Sequence, residues 1–130
     1  MIYDSKVQEK LYGVLNELGI PVYDYVPANS NQFPYVKIDS CYYMDNSTKV
    51  EEGITLIQYV QVFSDYRGKK EIRDLVAQMN DLVLNANYDD EEIQIFVEME
   101  IVRFFEHQEK DGSGYYNQGS VMYKFTIYER

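Results

Sequence analysis

With 130 residues, 45% of them hydrophobic, the chain has the length and apolar content of one globular domain with a single core. Its 22 acidic residues against 12 basic ones give a formal charge of −10, which argues against ordinary binding to a nucleic-acid phosphate backbone. No run of about eighteen apolar residues offers a membrane span, and the opening "MIYDSKVQEK" lacks the basic start and apolar middle of a signal peptide, so synthesis and folding are expected in the cytoplasm.

Val7, Leu11, Val14, Leu15 and Leu18 recur on one helical face, with Asp4 or Ser5 as the expected N-cap and Gly19 as the stop. Pro21 and Pro27 then limit Val22 to Tyr25 to a short extended piece, expected at a sheet edge. After the polar loop "ANSNQF", residues 35–43 suit a strand and residues 53–64, "GITLIQYVQVFS", a longer one. In the longer strand Ile54, Leu56, Val60 and Val62 point one way and Ile57, Tyr59 and Phe63 the other, the pattern of a central strand or of one that meets a partner. Between the two strands "MDNSTKVEE" reads as a mobile polar loop.

Gly68-Lys69-Lys70 lacks the first glycine of a phosphate-binding loop, where Phe63 stands, and its hydroxyl, where Lys70 stands, so it reads as a corner into a helix. That helix carries Ile72, Leu75, Val76, Met79, Leu82 and Val83 at helical spacing and ends at Asn85 to Asn87. A strand is expected from Ile93 to about Phe105, with Ile93, Ile95, Val97, Met99 and Ile101 alternating with more polar neighbours. The last strand, from about Gly119 to Tyr128, places Val121, Tyr123, Phe125 and Ile127 on one face, and a long hairpin with a flexible tip joins it to its predecessor. The predicted fold is therefore α+β: a mainly antiparallel sheet of four to five strands with two amphipathic helices on one face, in one domain over residues 1–130.

Chemistry is sparse. Cys41 cannot form an internal disulfide and reads as a small buried hydrophobe, while His107 sits in a charged stretch that looks flexible. Asp89 to Glu92 lack the spacing of a calcium loop and read as a solvated acidic turn. Glu98 and Glu100, two apart in a strand, are expected to share a face, with Lys124 opposite; an exposed charge pair accounts for them as well as a paired-carboxylate acid and base does. No nucleophile elbow, zinc-ligand cluster or dinucleotide fingerprint appears, so neither catalysis nor a cofactor or metal is expected. Fourteen tyrosines and no tryptophan point toward interfaces. Tyr42, Tyr43, Tyr59 and Tyr123 read as sheet residues with one side on the core, and Tyr115 and Tyr116, near the hairpin tip, as available to a partner.

The segments "LGIPVYDYVP", "FPYVKID" and "ITLIQYVQVFSDYRGKKEIRDLVAQMNDLV" together resemble a family of small tailed-phage and prophage proteins, the tail completion or tail terminator proteins. Val22, Tyr23, Pro27, Pro34, Tyr35, Val36, Val62, Phe63, Ser64, Gly68 and Lys69 occupy the matching positions, and the resemblance runs over about residues 8 to 84. The acidic segment from Asp89 and the Tyr-rich hairpin lie outside it.

The resemblance implies a non-enzymatic virion assembly protein: a homohexameric ring at the head-proximal end of the tail tube, at the tail–neck junction. Its implied partners are other copies of itself, the tail tube protein and a neck or head-completion protein, with DNA only as transit cargo and no membrane. A ring needs head-to-tail contacts that close. The residues expected at subunit or partner contacts are Met44, Asp45, Asn46, Lys49, Ile57, Tyr59, Glu98, Glu100, Asp111, Tyr115 and Tyr116. Residues 44–52 and 106–119, lacking apolar anchors, are expected to order on docking. Six copies at −10 each would total −60, a charge that lets DNA pass a lumen without sticking. The alternative is an acidic DNA mimic that inhibits a host protein, since Asp89 to Asp111 holds nine acids against Arg103 and Lys110.

Overall fold

Residues four apart stack on one side of a helix. Val7, Leu11 and Leu15 do so in helix α1, Tyr3–Leu15, and all three are fully buried. The computed structural model describes residues 3–26, 32–44, 53–108 and 114–130. Asp4 and Ser5, the expected N-caps, lie within the first turn of α1. Part of the capping comes from across the molecule: the Asp4 N–H donates to the Tyr43 hydroxyl at 3.1 Å, and that hydroxyl donates to Asp4 Oδ1 at 3.1 Å. The chain tightens into a 3₁₀ turn at Asn16–Leu18 and stops at Gly19.

The strands are β1 (Val22–Tyr23), β2 (Tyr35–Tyr43), β3 (Ile54–Ser64), β4 (Ile93–Gln108) and β5 (Tyr115–Glu129), forming one sheet in the order β1-β2-β3-β5-β4. Only β1 and β2 are parallel. The predicted α+β architecture is the observed one, with β3 central, one of the two places its two-sided apolar pattern allows. β1 is shorter than expected, ending at Tyr23.

Helix α2, Lys70–Asn85, buries Ile72, Val76, Met79 and Val83 on the same sheet face as α1. Beneath lie Val121, Tyr123, Phe125 and Ile127 of β5, all fully buried. The corner before α2 is pinned by two polar side chains. Ser64 Oγ donates to Glu71 Oε1 at 2.7 Å and accepts the Tyr66 N–H at 3.2 Å, while the Asn117 amide donates to the carbonyls of Gly68 at 2.8 Å and Tyr66 at 3.3 Å. Lys69 and Lys70 are exposed, as a plain corner requires. At the other end of α2 the buried Tyr88 hydroxyl donates to the Val83 carbonyl at 2.8 Å, satisfying one of the carbonyls a helix terminus leaves free.

Two bulges depart from the predicted alternation. In β2 the register shifts between Ile38 and Cys41. The carbonyls of Asp39 and Ser40 are taken up by the buried Gln58 amide at 2.8 and 3.3 Å. Cys41, expected to be buried, is exposed, because the bulge carries the strand out of its first register. In β4 the shift falls between Met99 and Ile101. Beyond it the strand runs to Gln108 and pairs with β5 from Tyr115, so the hairpin is longer and its connection shorter than predicted. His107, expected in a flexible stretch, is a strand residue, as are Glu106, Tyr115 and Tyr116.

The acidic turn before β4 is organised. Asp90 Oδ1 accepts the N–H groups of Glu92 at 2.7 Å and Ile93 at 2.9 Å, and Oδ2 lies 3.5 Å from Lys10 Nζ and 3.6 Å from Lys6 Nζ. Asp89 accepts the Ile95 N–H at 2.8 Å and pairs with Arg130 at 3.2 Å. The two backbone donors first, then the lysines, pull the Asp90 carboxyl from 3.8 down to about 2. A carboxyl lowered on folding stabilises the fold fully above its unfolded pKa, and that contribution disappears as pH falls through the folded one. Thermal unfolding should therefore show stability lost as pH drops from 3.8 to about 2. Asp90→Asn should be less stable at neutral pH and flatten that slope; an unchanged slope would show that Asp90 does not govern it.

Candidate assembly interface

One sheet face carries the helices; among the described residues no helix covers the other. At one end of this open face an aromatic band crosses all five strands, with one ring from each: Tyr23, Tyr35, Phe63, Tyr116 and His107. Successive ring centroids are 5.9, 4.9, 6.1 and 4.5 Å apart. Beside it runs a polar rung. His107 Nε2 lies 2.8 Å from Gln118 Oε1, the Gln118 amide donates to Gln61 Oε1 at 2.7 Å, and the Gln61 amide donates to Asp39 Oδ2 at 3.2 Å.

The two sheet edges differ. β1 is two residues long, a short edge that offers little backbone to another chain, whereas β4 is sixteen residues long with neither glycine nor proline. It exposes Phe96 (52%), Met99 (40%), Ile101 (40%), Phe104 (46%) and Phe105 (42%), five of the eleven large exposed apolar side chains among the described residues. Asp90 and Asp89 take the N–H groups of Ile93 and Ile95 at its start; beyond them, a long apolar strand outermost in its sheet is a template for another chain. The sequence signal for it was the adjacent pair Phe104-Phe105, which must put an aromatic on each face of a strand.

The expected contact residues are scattered over this frame. Ile57 faces the open side but is only 3% exposed, covered within the chain. Tyr59 is half-buried there, its ring 6.3 Å from that of Tyr42. Met44 is exposed just past β2. Tyr116 is held in the aromatic band rather than presented at a hairpin tip, and Tyr115 lies under Arg67, whose guanidinium carbon is 5.9 Å from the ring. Of the other predicted sheet tyrosines, Tyr123 is fully buried and Tyr43 half-buried, whereas Tyr42 is 48% exposed.

Glu98 pairs in register with Lys124, as expected. Glu100, however, is the extra residue of the β4 bulge, and Ile101, not Glu100, takes the next open-face position opposite Met122. The regular two-residue alternation that set Glu100 beside Glu98 is therefore interrupted, and both carboxylates are exposed. Among the described residues no group of three potential metal-ligating side chains occurs, and no helix is long and apolar enough to cross a membrane. Asp45, Asn46, Lys49 and Asp111 lie outside the described residues.

No family model matches this sequence, and no curated protein does. Among solved structures, the chain is similar to one chain of the virion of native gene transfer agent (GTA) particle. The TM-score is 0.71 at 19% identity, and the match covers 95% of this chain and 94% of that one. At that identity the likeness shows one thing: the two chains share a fold from end to end.

Proposed function

We propose that this chain is a structural protein of a phage-type virion, the subunit of a homohexameric ring that ends the tail tube at its head-proximal end and joins it to the neck. The observation that carries the reading is the end-to-end fold shared with a virion chain of nearly the same extent. The motif order over residues 8 to 84 supports the finer assignment to a tail terminator. The open sheet face around Tyr59, Met122 and Phe105 is the surface offered to the next subunit, and the tube and neck proteins meet the ends of the sheet.

The ion pairs of the acidic turn weigh against the DNA-mimic alternative. Asp89, Asp90 and Glu92 are already engaged by Arg130, Lys10 and Lys6, so much of the densest acid run is neutralised within the chain.

The test is tube capping. Tail tube protein polymerised with the purified chain should give tubes of limited length with density at one end in electron micrographs. Tubes of unchanged length and bare ends would sink the reading.

A further inference from the structure

Outward from its bulge, β4 repeats its own pattern in reverse. Phe96, Val97, Glu98 and Met99 stand on one side, and Val102, Arg103, Phe104 and Phe105 on the other. Folding the strand about the point between Glu100 and Ile101 lays Met99 on Val102, Glu98 on Arg103, Val97 on Phe104 and Phe96 on Phe105. Each of these four pairs is apolar with apolar or acid with base; the match stops at Glu100 with Ile101 inside them and at Ile95 with Glu106 outside.

The bulge makes these pairs share faces. In an unbroken strand, residues an odd number apart point to opposite sides. Here the extra residue shifts the alternation. Glu98 and Arg103 stand opposite Lys124 and Ser120, and Phe96 and Phe105 opposite Thr126 and Gln118, all on the open face. Val97 and Phe104 stand opposite Phe125 and Gly119, on the helix side.

The geometry points to antiparallel pairing of β4 with β4 of a second copy, about a two-fold axis at the bulge, joining two five-stranded sheets edge to edge. The contact supplies the hydrogen-bonding partners the edge lacks and covers its exposed apolar residues. Each side-chain pair occurs twice. A second copy fits better than an unrelated apolar strand because it alone is bound to bring Arg103 to Glu98 and Glu98 to Arg103. One feature opposes the pairing: the two Glu100 carboxylates approach each other near the axis.

This contact does not rest on the ring reading. A two-fold pair closes on itself and cannot build a ring, so it describes the free chain, with its edge covered before assembly.

Sedimentation equilibrium of the full chain tests it. The wild type should form a dimer. Glu98→Arg turns two opposite-charge pairs into two like-charge pairs and should weaken the dimer about tenfold or more. The double variant Glu98→Arg/Arg103→Glu should restore it, as should an equimolar mixture of Glu98→Arg with Arg103→Glu. Both side chains are exposed, so the variants should keep the wild-type fold, and the rescue would not follow from a merely structural role. A wild type monomeric at every concentration, an assembly indifferent to Glu98→Arg, or a double variant no tighter than the single ones would each overturn the inference. None of these outcomes decides tube capping, so the two readings fail separately.

Discussion

Tyr88→Ala should destabilise the chain by about 3–5 kcal/mol in chemical denaturation, the range for deleting a large buried aromatic ring. Tyr88 is 1% exposed, and its ring meets Phe125 edge-on with centroids 5.3 Å apart. Its hydroxyl ends α2 at Val83, and its own carbonyl accepts from Lys10 Nζ at 2.5 Å, so the residue links both helices to β5. Burial pushes the phenol pKa far up, so the hydroxyl keeps its proton and remains a donor throughout the ordinary range. Tyr88→Phe isolates the hydrogen bond, since it leaves the Val83 carbonyl without its donor, and should cost about 1–3 kcal/mol. If both substitutions cost the same, the ring packing would not be what holds this corner.

Gly53→Ala should cost about 2–5 kcal/mol through two separable terms. Gly53 has a φ of 85°, a left-handed conformation that costs an L-residue about 1–2 kcal/mol. An added Cβ would also lie 2.9 Å from Thr126 Cγ2 and from the Tyr128 ring, overpacking worth about 1–3 kcal/mol. Gly68 supplies the control: its φ is 99°, but nothing lies within 4 Å of an added Cβ. Gly68→Ala should therefore show the backbone term alone, and the difference between the two variants measures how closely the start of β3 is pressed against β5. Equal losses would remove the contact term.

Much of the fold was legible because its signals are periodic. The helix stripes and the alternation in β3 and β5 depend on neighbours a few residues apart, and the structure buries most of those positions and half-buries the rest. What the sequence hid were events that break a period. Nothing local announces the bulge at Glu100, which moves Ile101 to the opposite face from the one alternation assigns and leaves Glu100 without a cross-strand partner. Cys41 was misplaced for the same reason, one bulge earlier. Tyr88 belongs to no stripe at all, and only the packing of α2 on β5 makes it a core residue. The candidate interface was less legible still. Exposure on both sides of an edge strand follows from β4 being outermost, and strand order cannot be seen in the alternation of a single strand.

The polar rung across the open face has a direction. It ends at Asp39, an anion that can only accept, so the Gln61 amide must donate toward it and turn its oxygen to Gln118, which must in turn present its own oxygen to His107. The neutral imidazole then has no choice of tautomer: Nε2 carries the hydrogen and Nδ1 keeps its lone pair. A fixed charge on β2 thus writes the protonation pattern of a ring on β4, three strand spacings or about 14 Å away, without touching it.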